Sequence, residues 1–172
     1  MYPDLPIEQL VRRKDTRFQY GFATEAKKRV PARGEFRLSA SSKGLHVLAK
    51  NEDDLATPVE VLHDAYGSKL EVQPPRVRFI EGAHVQEPIM QVRISLLLRY
   101  TEVVRQALET RGAAQTAEHS LSRYCVLRYQ APLADLLGLP DELATLTEHS
   151  AKHWIVLSHY APVTPDPGGR AA

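Results

Sequence analysis

Seven histidines, one cysteine and a scatter of serines and carboxylates are the residues of this 172-residue chain that could do chemistry. A histidine metal site needs imidazoles spaced to reach one ion, as in a His-Glu-x-x-His frame. His149 and His153 have the four-residue spacing, but the sequence between them predicts a helix end and a turn. Glu118-His119 and Glu148-His149 are adjacent pairs whose side chains point apart on a strand or a helix. Nucleophilic catalysis has no better support. Ser120, Ser122 and Ser158 lack a Gly-x-Ser-x-Gly elbow. Cys125, between Tyr124 and Val126, follows a strand pattern rather than opening a helix. Being single, it excludes an intrachain disulfide and a cysteine metal cluster. Asp53, Asp54 and Asp135 read as helix caps or solvated positions, not as a matched acid pair. A Gly-x-x-x-x-Gly-Lys-Ser/Thr phosphate loop is missing, as is Asn-Lys-x-Asp; Lys50-Asn51 runs the other way. These residues assign no catalytic, cofactor or metal group, identify no small-molecule substrate, and predict a protein that is not an enzyme.

Binding chemistry is better represented. The net charge of +1 creates no whole-chain field toward nucleic acid or membrane, yet residues 1–40 hold nine basic and five acidic side chains. Arg12, Arg13, Lys14, Arg17, Lys27, Lys28 and Arg29 form a candidate basic arm for RNA or an acidic protein. A second candidate surface is the exposed side of the helix after Tyr100, with Arg105, Gln106, Glu109 and Arg111. Lys152 and His153, on the turn before Trp154 and near the other end of the module, are further candidates. Stacking of single-stranded RNA on a sheet needs aromatics on its open face. Tyr124 and Tyr129 lie an odd number of residues apart on one predicted strand and point to opposite faces, so that mode is weakly supplied. No apolar run approaches the ~18 residues of a membrane span. The opening residues lack a signal-peptide core, and the expected location is the cytoplasm.

The elements that must position these groups follow from hydrophobic periodicity. Residues 5–13 are expected to form a short helix, and residues 14–34 to be mostly irregular. Phe36, Leu38 and Ala40 alternate as a strand, and residues 41–44 turn into a second strand at residues 45–49. Asn51 caps a helix whose apolar stripe is Leu55, Val59, Leu62 and Tyr66, and which stops at Gly67. An extended run over residues 70–80 is broken by Pro74-Pro75. Met90, Val92, Ile94 and Leu96 mark a further strand. A helix over about residues 98–110 turns Val103, Val104, Ala107 and Leu108 inward and ends at Gly112. A weak strand at residues 114–122 and a stronger one at residues 124–130 come next. A helix from Pro132 restarts at Pro140, and a strand closes at residues 154–157. Residues 35–80 thus form a first cycle of strand, strand, helix, strand, and the segment from residue 87 on a second cycle of order β-α-β-β-α-β, the ferredoxin-like plan.

The second cycle also resembles domain V of elongation factor G. Glu87-Pro88-Ile89-Met90 with Val92 is similar to that domain's first strand, and residues 103–112, ending Thr110-Arg111-Gly112, to its first helix. Residues 131–138, Ala-Pro-Leu-Ala-Asp-Leu-Leu-Gly, are similar to the family's Val-Pro-Leu-Ala-Glu-Met-Phe-Gly. Asp141-Glu142-Leu143-Ala144-Thr145-Leu146-Thr147 continues that helix, and His159-Tyr160 resembles the closing Asp-His-Tyr. Residues 57–67 and 70–79 resemble, more weakly, the second helix and last strand of domain III. In the family a large domain IV separates these modules; here only seven residues do. The family's glycine-bearing turn, Thr-Gln-Gly-Arg, is Thr147-Glu148-His149-Ser150 here, so a backbone contact that relies on glycine at this turn is not implied for this chain.

The expected fold is therefore α+β, with two ferredoxin-like units whose antiparallel sheets carry helices on one face, the first unit being incomplete. Expected boundaries are a basic, partly irregular arm over residues 1–34, a domain III-like ββαβ unit over 35–82, a domain V-like unit over 87–163 and a disordered tail over 164–172. The resemblance implies a non-catalytic, translation-related module that docks on the ribosome or on a translational GTPase. The alternative is a general protein-interaction domain or a homodimer formed at the edges of its sheets.

Overall fold

The computed structural model of the chain describes residues 2–163. Its first unit opens with β1 (Ile7–Arg13) and α1 (Gln19–Arg29). A hairpin follows, β2 (Phe36–Ser41) and β3 (Gly44–Ala49), then α2 (Glu52–Tyr66), β4 (Leu70–Val72) and β5 (Arg76–Val77). The sheet order is β2-β3-β1-β4, with β5 also on β1, and the pairings are antiparallel. The unit is thus a complete β-α-β-β-α-β module, which corrects the expected incomplete one.

The two missing elements come from residues 1–34. Residues 7–13 form a central strand rather than a helix. Ile7 and Val11 point into the core, and Gln9 between them donates to the Gln73 carbonyl at 2.9 Å. The helix-like spacing of Ile7, Leu10 and Val11 is misleading because Leu10 lies on the opposite, open face; pairing with strands on both sides decides the conformation. Residues 19–29 are helical, against the expectation of an irregular segment. Their buried face is built from Phe22, Ala23 and Ala26, so small residues carry most of the stripe. No side chain caps the start of α1; Gln19, its first residue, instead ties it back to the preceding strand and turn. Its amide donates to the Arg13 and Thr16 carbonyls at 2.8 and 2.6 Å and accepts from Arg13 N–H at 3.0 Å. This 5 % exposed side chain is therefore fully satisfied.

The second unit runs β6 (Gln86–Leu97), α3 (Thr101–Thr110), β7 (Ala114–Ser120), β8 (Tyr124–Pro132), α4 (Leu133–Leu136), α5 (Leu139–Leu146) and β9 (Lys152–Pro162). Its strand order, β7-β8-β6-β9, repeats the first. Met90, Val92, Ile94 and Leu96 of β6 and Cys125, Leu127, Tyr129 and Ala131 of β8 face Val104, Leu108, Leu136 and Leu143 of the helices. Val103, expected inside, is exposed, since only Val104 and Leu108 of α3 turn fully to the sheet. Gly112 and Gly138 adopt φ of 75° and 80°, where a side chain is strained, and end or restart helices.

Three consecutive residues at the start of α2 join the units. Asn51 accepts from Asp54 N–H at 3.1 Å as the N-cap and donates to the Ile155 carbonyl of β9 at 3.2 Å. Both carboxylate oxygens of Glu52 accept from Gly138 N–H, at 3.1 and 3.0 Å. Asp53 meets His153 at 2.7 Å. Near the chain's start, Tyr160 of β9 donates to the Pro3 carbonyl at 2.9 Å. The tail expected over residues 164–172 lies outside the described residues.

Candidate interaction site

The α3 surface holds two kinds of residue. Gln106 and Glu109 are exposed. The Arg105 guanidinium, by contrast, is held by Glu102 and by both oxygens of Glu118 on β7, each at 3.0 Å. That contact keeps the Glu118 carboxyl below the usual carboxylate range, chiefly through the hydrogen bond from Arg105. Arg111 is more deeply engaged. Its Nε and Nη2 donate to Glu142 at 2.8 and 2.6 Å, and its Nη1 donates to the carbonyls of Asp135 and Leu137, each at 2.9 Å. It clamps the end of α3 to the α4–α5 corner.

Lys152 and His153 diverge because neighbours on a strand face opposite ways. Lys152 is exposed, whereas His153 turns to Asp53 across the junction. The bond to Asp53 raises the imidazole pKa above its ordinary value, against burial, which lowers it. Burial pushes the neighbouring Glu52 carboxyl up, opposed by the Gly138 N–H.

The residues of the expected basic arm are part of the first unit's framework. Arg12 and Arg13 lie on β1, and Arg13 pairs with Asp15 at 2.6 Å. Lys27, Lys28 and Arg29 form the last turn of α1, where cations complement the helix dipole. Arg29 pairs with Glu25 and lies over the Tyr66 ring at 5.4 Å, while Lys27 and Lys28 stay exposed. Lys14 and Arg17 fall in the connection before α1.

Two arrangements have no counterpart in the local sequence signals. On the open face of the first sheet, the Ser41 hydroxyl lies 2.7 Å from His46 Nε2, while His46 Nδ1 bonds the Glu8 carboxylate. With Nδ1 donating to Glu8, Nε2 accepts from Ser41, which is the order of an acyl-transfer relay. The Lys43 N–H already donates to Ser41 Oγ at 3.1 Å rather than aiming at a reacting carbonyl. This chain of bonds ties β2, β3 and β1 together.

The open face of the second sheet is chemically different. A groove of about 360 Å³ runs along it, lined by Gln91, Arg93, Thr116, Arg128, Gln130, Trp154 and Val156 among others. Strand register explains the set: Arg93 pairs with Arg128 on β8 and with Trp154 on β9, so all three share one face. Arg93 sits over the indole at 4.8 Å from its centre.

A family model described as elongation factor G C-terminus matches residues 84–170, just over half of the chain and the whole second unit. Among solved structures, a crystal structure of a protein from Thermus thermophilus is similar over 95% of this chain, with a TM-score of 0.68 and 14% identity. At that identity the likeness concerns the fold. It extends across both units, and the chain spans 41% of that protein's length. No helix among the described residues is long and apolar enough to cross a membrane.

Proposed function

The chain belongs to the elongation factor G C-terminus family, and from that premise we propose that it is a non-catalytic, translation-related binding module that docks on the ribosome or on a translational GTPase. The observation that carries this reading is the family's complete β-α-β-β-α-β unit, held to a second such unit by Asn51, Glu52 and Asp53. A tandem fixed in this way presents its surfaces at a set spacing, which is useful for docking on a large assembly and dispensable for chemistry at one site. Gln106 and Glu109 of α3, Lys152 at the start of β9, and Lys27 and Lys28 of α1 supply the exposed contacts. Arg105, Arg111 and His153 hold the surface in shape from beneath.

Sedimentation of the purified chain with ribosomes over a series of salt concentrations tests the proposal. Co-pelleting that weakens steeply with salt is the expected result, because cationic contacts to phosphate release counterions. Absence of pelleting at low salt, with capture of purified translational GTPases also failing, refutes it. A bare homodimer in solution would then favour association through the sheet edges.

A further inference from the structure

We propose that the open face of the second sheet is a binding site for single-stranded RNA. The face combines three chemistries that an unpaired strand requires. Arg93 and Arg128 stand side by side at its centre, and Lys152 lies two residues along β9 from Trp154, on the same side of the strand. Gln91 and Gln130, paired across β6 and β8, offer amide donors and acceptors to base edges. Trp154 is 46% exposed and Tyr124 is 50% exposed, an unusual display of aromatic surface for a sheet face. Register places Tyr124 on the same face as Arg128, four residues along β8.

Charge decides between occupants. The groove lining contains arginine and amide side chains and no carboxylate, so a polyanion is matched, whereas a second copy of this face would set arginine against arginine. The Arg93 guanidinium covers part of the indole; a base stacks on the rest of it or on the guanidinium plane. Duplexes do not fit this pattern, since stacking on a sheet needs bases freed from their partners. The choice of RNA over DNA rests on the translation-related reading above; the preference for an unpaired strand rests on the face itself.

The test is fluorescence anisotropy with a fluorescein-labelled, ten-nucleotide single-stranded RNA of mixed A and U, titrated with the full chain. The expected log–log salt slope is about −2, at roughly 0.7 per neutralised phosphate for three cations. Trp154→Ala weakens binding by about 5- to 150-fold, the range carried by stacking of one base. Arg93→Gln with Arg128→Gln flattens the slope by about 1.4. Arg33→Gln, an exposed cation in the connection between α1 and β2 of the first unit, leaves the slope unchanged. Should Trp154→Ala lower the unfolding midpoint, the glutamine pair and Trp154→Phe, which retains a stacking ring, carry the test instead. The proposal is overturned by no binding at low salt, by equal affinity for a duplex of the same length, or by Trp154→Ala and Arg93→Gln/Arg128→Gln chains that bind as the parent does. It is equally overturned by a dimer that Trp154→Ala dissolves, which would make the face a self-association surface. Ribosome pelleting without oligonucleotide binding sinks this inference alone; oligonucleotide binding without pelleting sinks only the docking proposal.

Discussion

Arg111 separates a structural reading of the α3 surface from a docking one. Replacing it with alanine removes two hydrogen bonds to Glu142 and two to the carbonyls of Asp135 and Leu137. The ion pair is partly wet, at 22% and 37% side-chain exposure, so it contributes only about 1 kcal/mol. Each carbonyl bond adds about 0.5–1 kcal/mol, reduced because water reaches the freed oxygens. The total is about 2–3 kcal/mol, equivalent to a fall in Tm of about 4–12 °C for a chain of this size. Arg111→Lys keeps the charge but cannot reach the carboxylate and both carbonyls together, and should lose about half as much. Urea denaturation of both variants, with Glu142→Gln completing a double-mutant cycle, measures these terms. An Arg111→Ala chain as stable as the parent, within ~0.5 kcal/mol, would refute the clamp. Lost ribosome binding in such a chain would return Arg111 to the docking surface.

Three further outcomes probe the junction. Asn51→Ala should cost about 1–2 kcal/mol, since it loses both the helix cap and the bond to Ile155; Asn51→Asp should recover the cap alone, and thermal melts will resolve the two. The His153 pKa is raised in the folded chain, so its bond to Asp53 contributes stability that is full below the ordinary value of about 6.5 and lost as pH rises through the folded value. Asp53 is more than half exposed, so the effect stays under about 1 kcal/mol. Asp53→Asn should flatten this part of the stability–pH curve, and an unchanged slope would count against the pair. Gly138→Ala forces a side chain onto φ of 80° and should destabilise by about 1–2 kcal/mol, as read from the urea midpoint.

The second unit is legible in the sequence because its signals are local. β6 alternates over its length, α3 ends on glycine, and two prolines punctuate the segment from Ala131 to Leu146. The first half of the other unit is illegible for two physical reasons. β1 is a strand because of partners far along the chain, namely Leu45–Ala49 on one side and Leu70–Val72 on the other. α1 starts on a glutamine that bonds backward to Arg13 and Thr16 rather than on serine, threonine or aspartate, and it buries alanines that carry little hydrophobic contrast. The candidate surface divides in the same way. Arg105 and Arg111 read as free cations because their partners, Glu118 and Glu142, are 13 and 31 residues away. Trp154 is visible as a strand residue, but its place beside Arg93 depends on register, which no local pattern in β9 encodes. Asn51-Glu52-Asp53 looks like helix-start chemistry, and it is; that the same three residues face another domain cannot be read from a cap signature.

The connection between the units has a consequence for how such proteins are assembled. Ile80 and Gln86 exchange both backbone hydrogen bonds at 2.9 Å, and residues 81–85 bulge outward, exposed. The chain thus leaves the first module and enters the second through one pinned pair of residues. A splice made between them sends the inserted chain out from, and back to, adjacent atoms. Its closure cost rises by only about 0.6 kcal/mol for each doubling in length, and neither sheet has to move to admit it. A reporter or affinity module spliced in at this bridge would therefore leave the tandem's fold and its junction as they are.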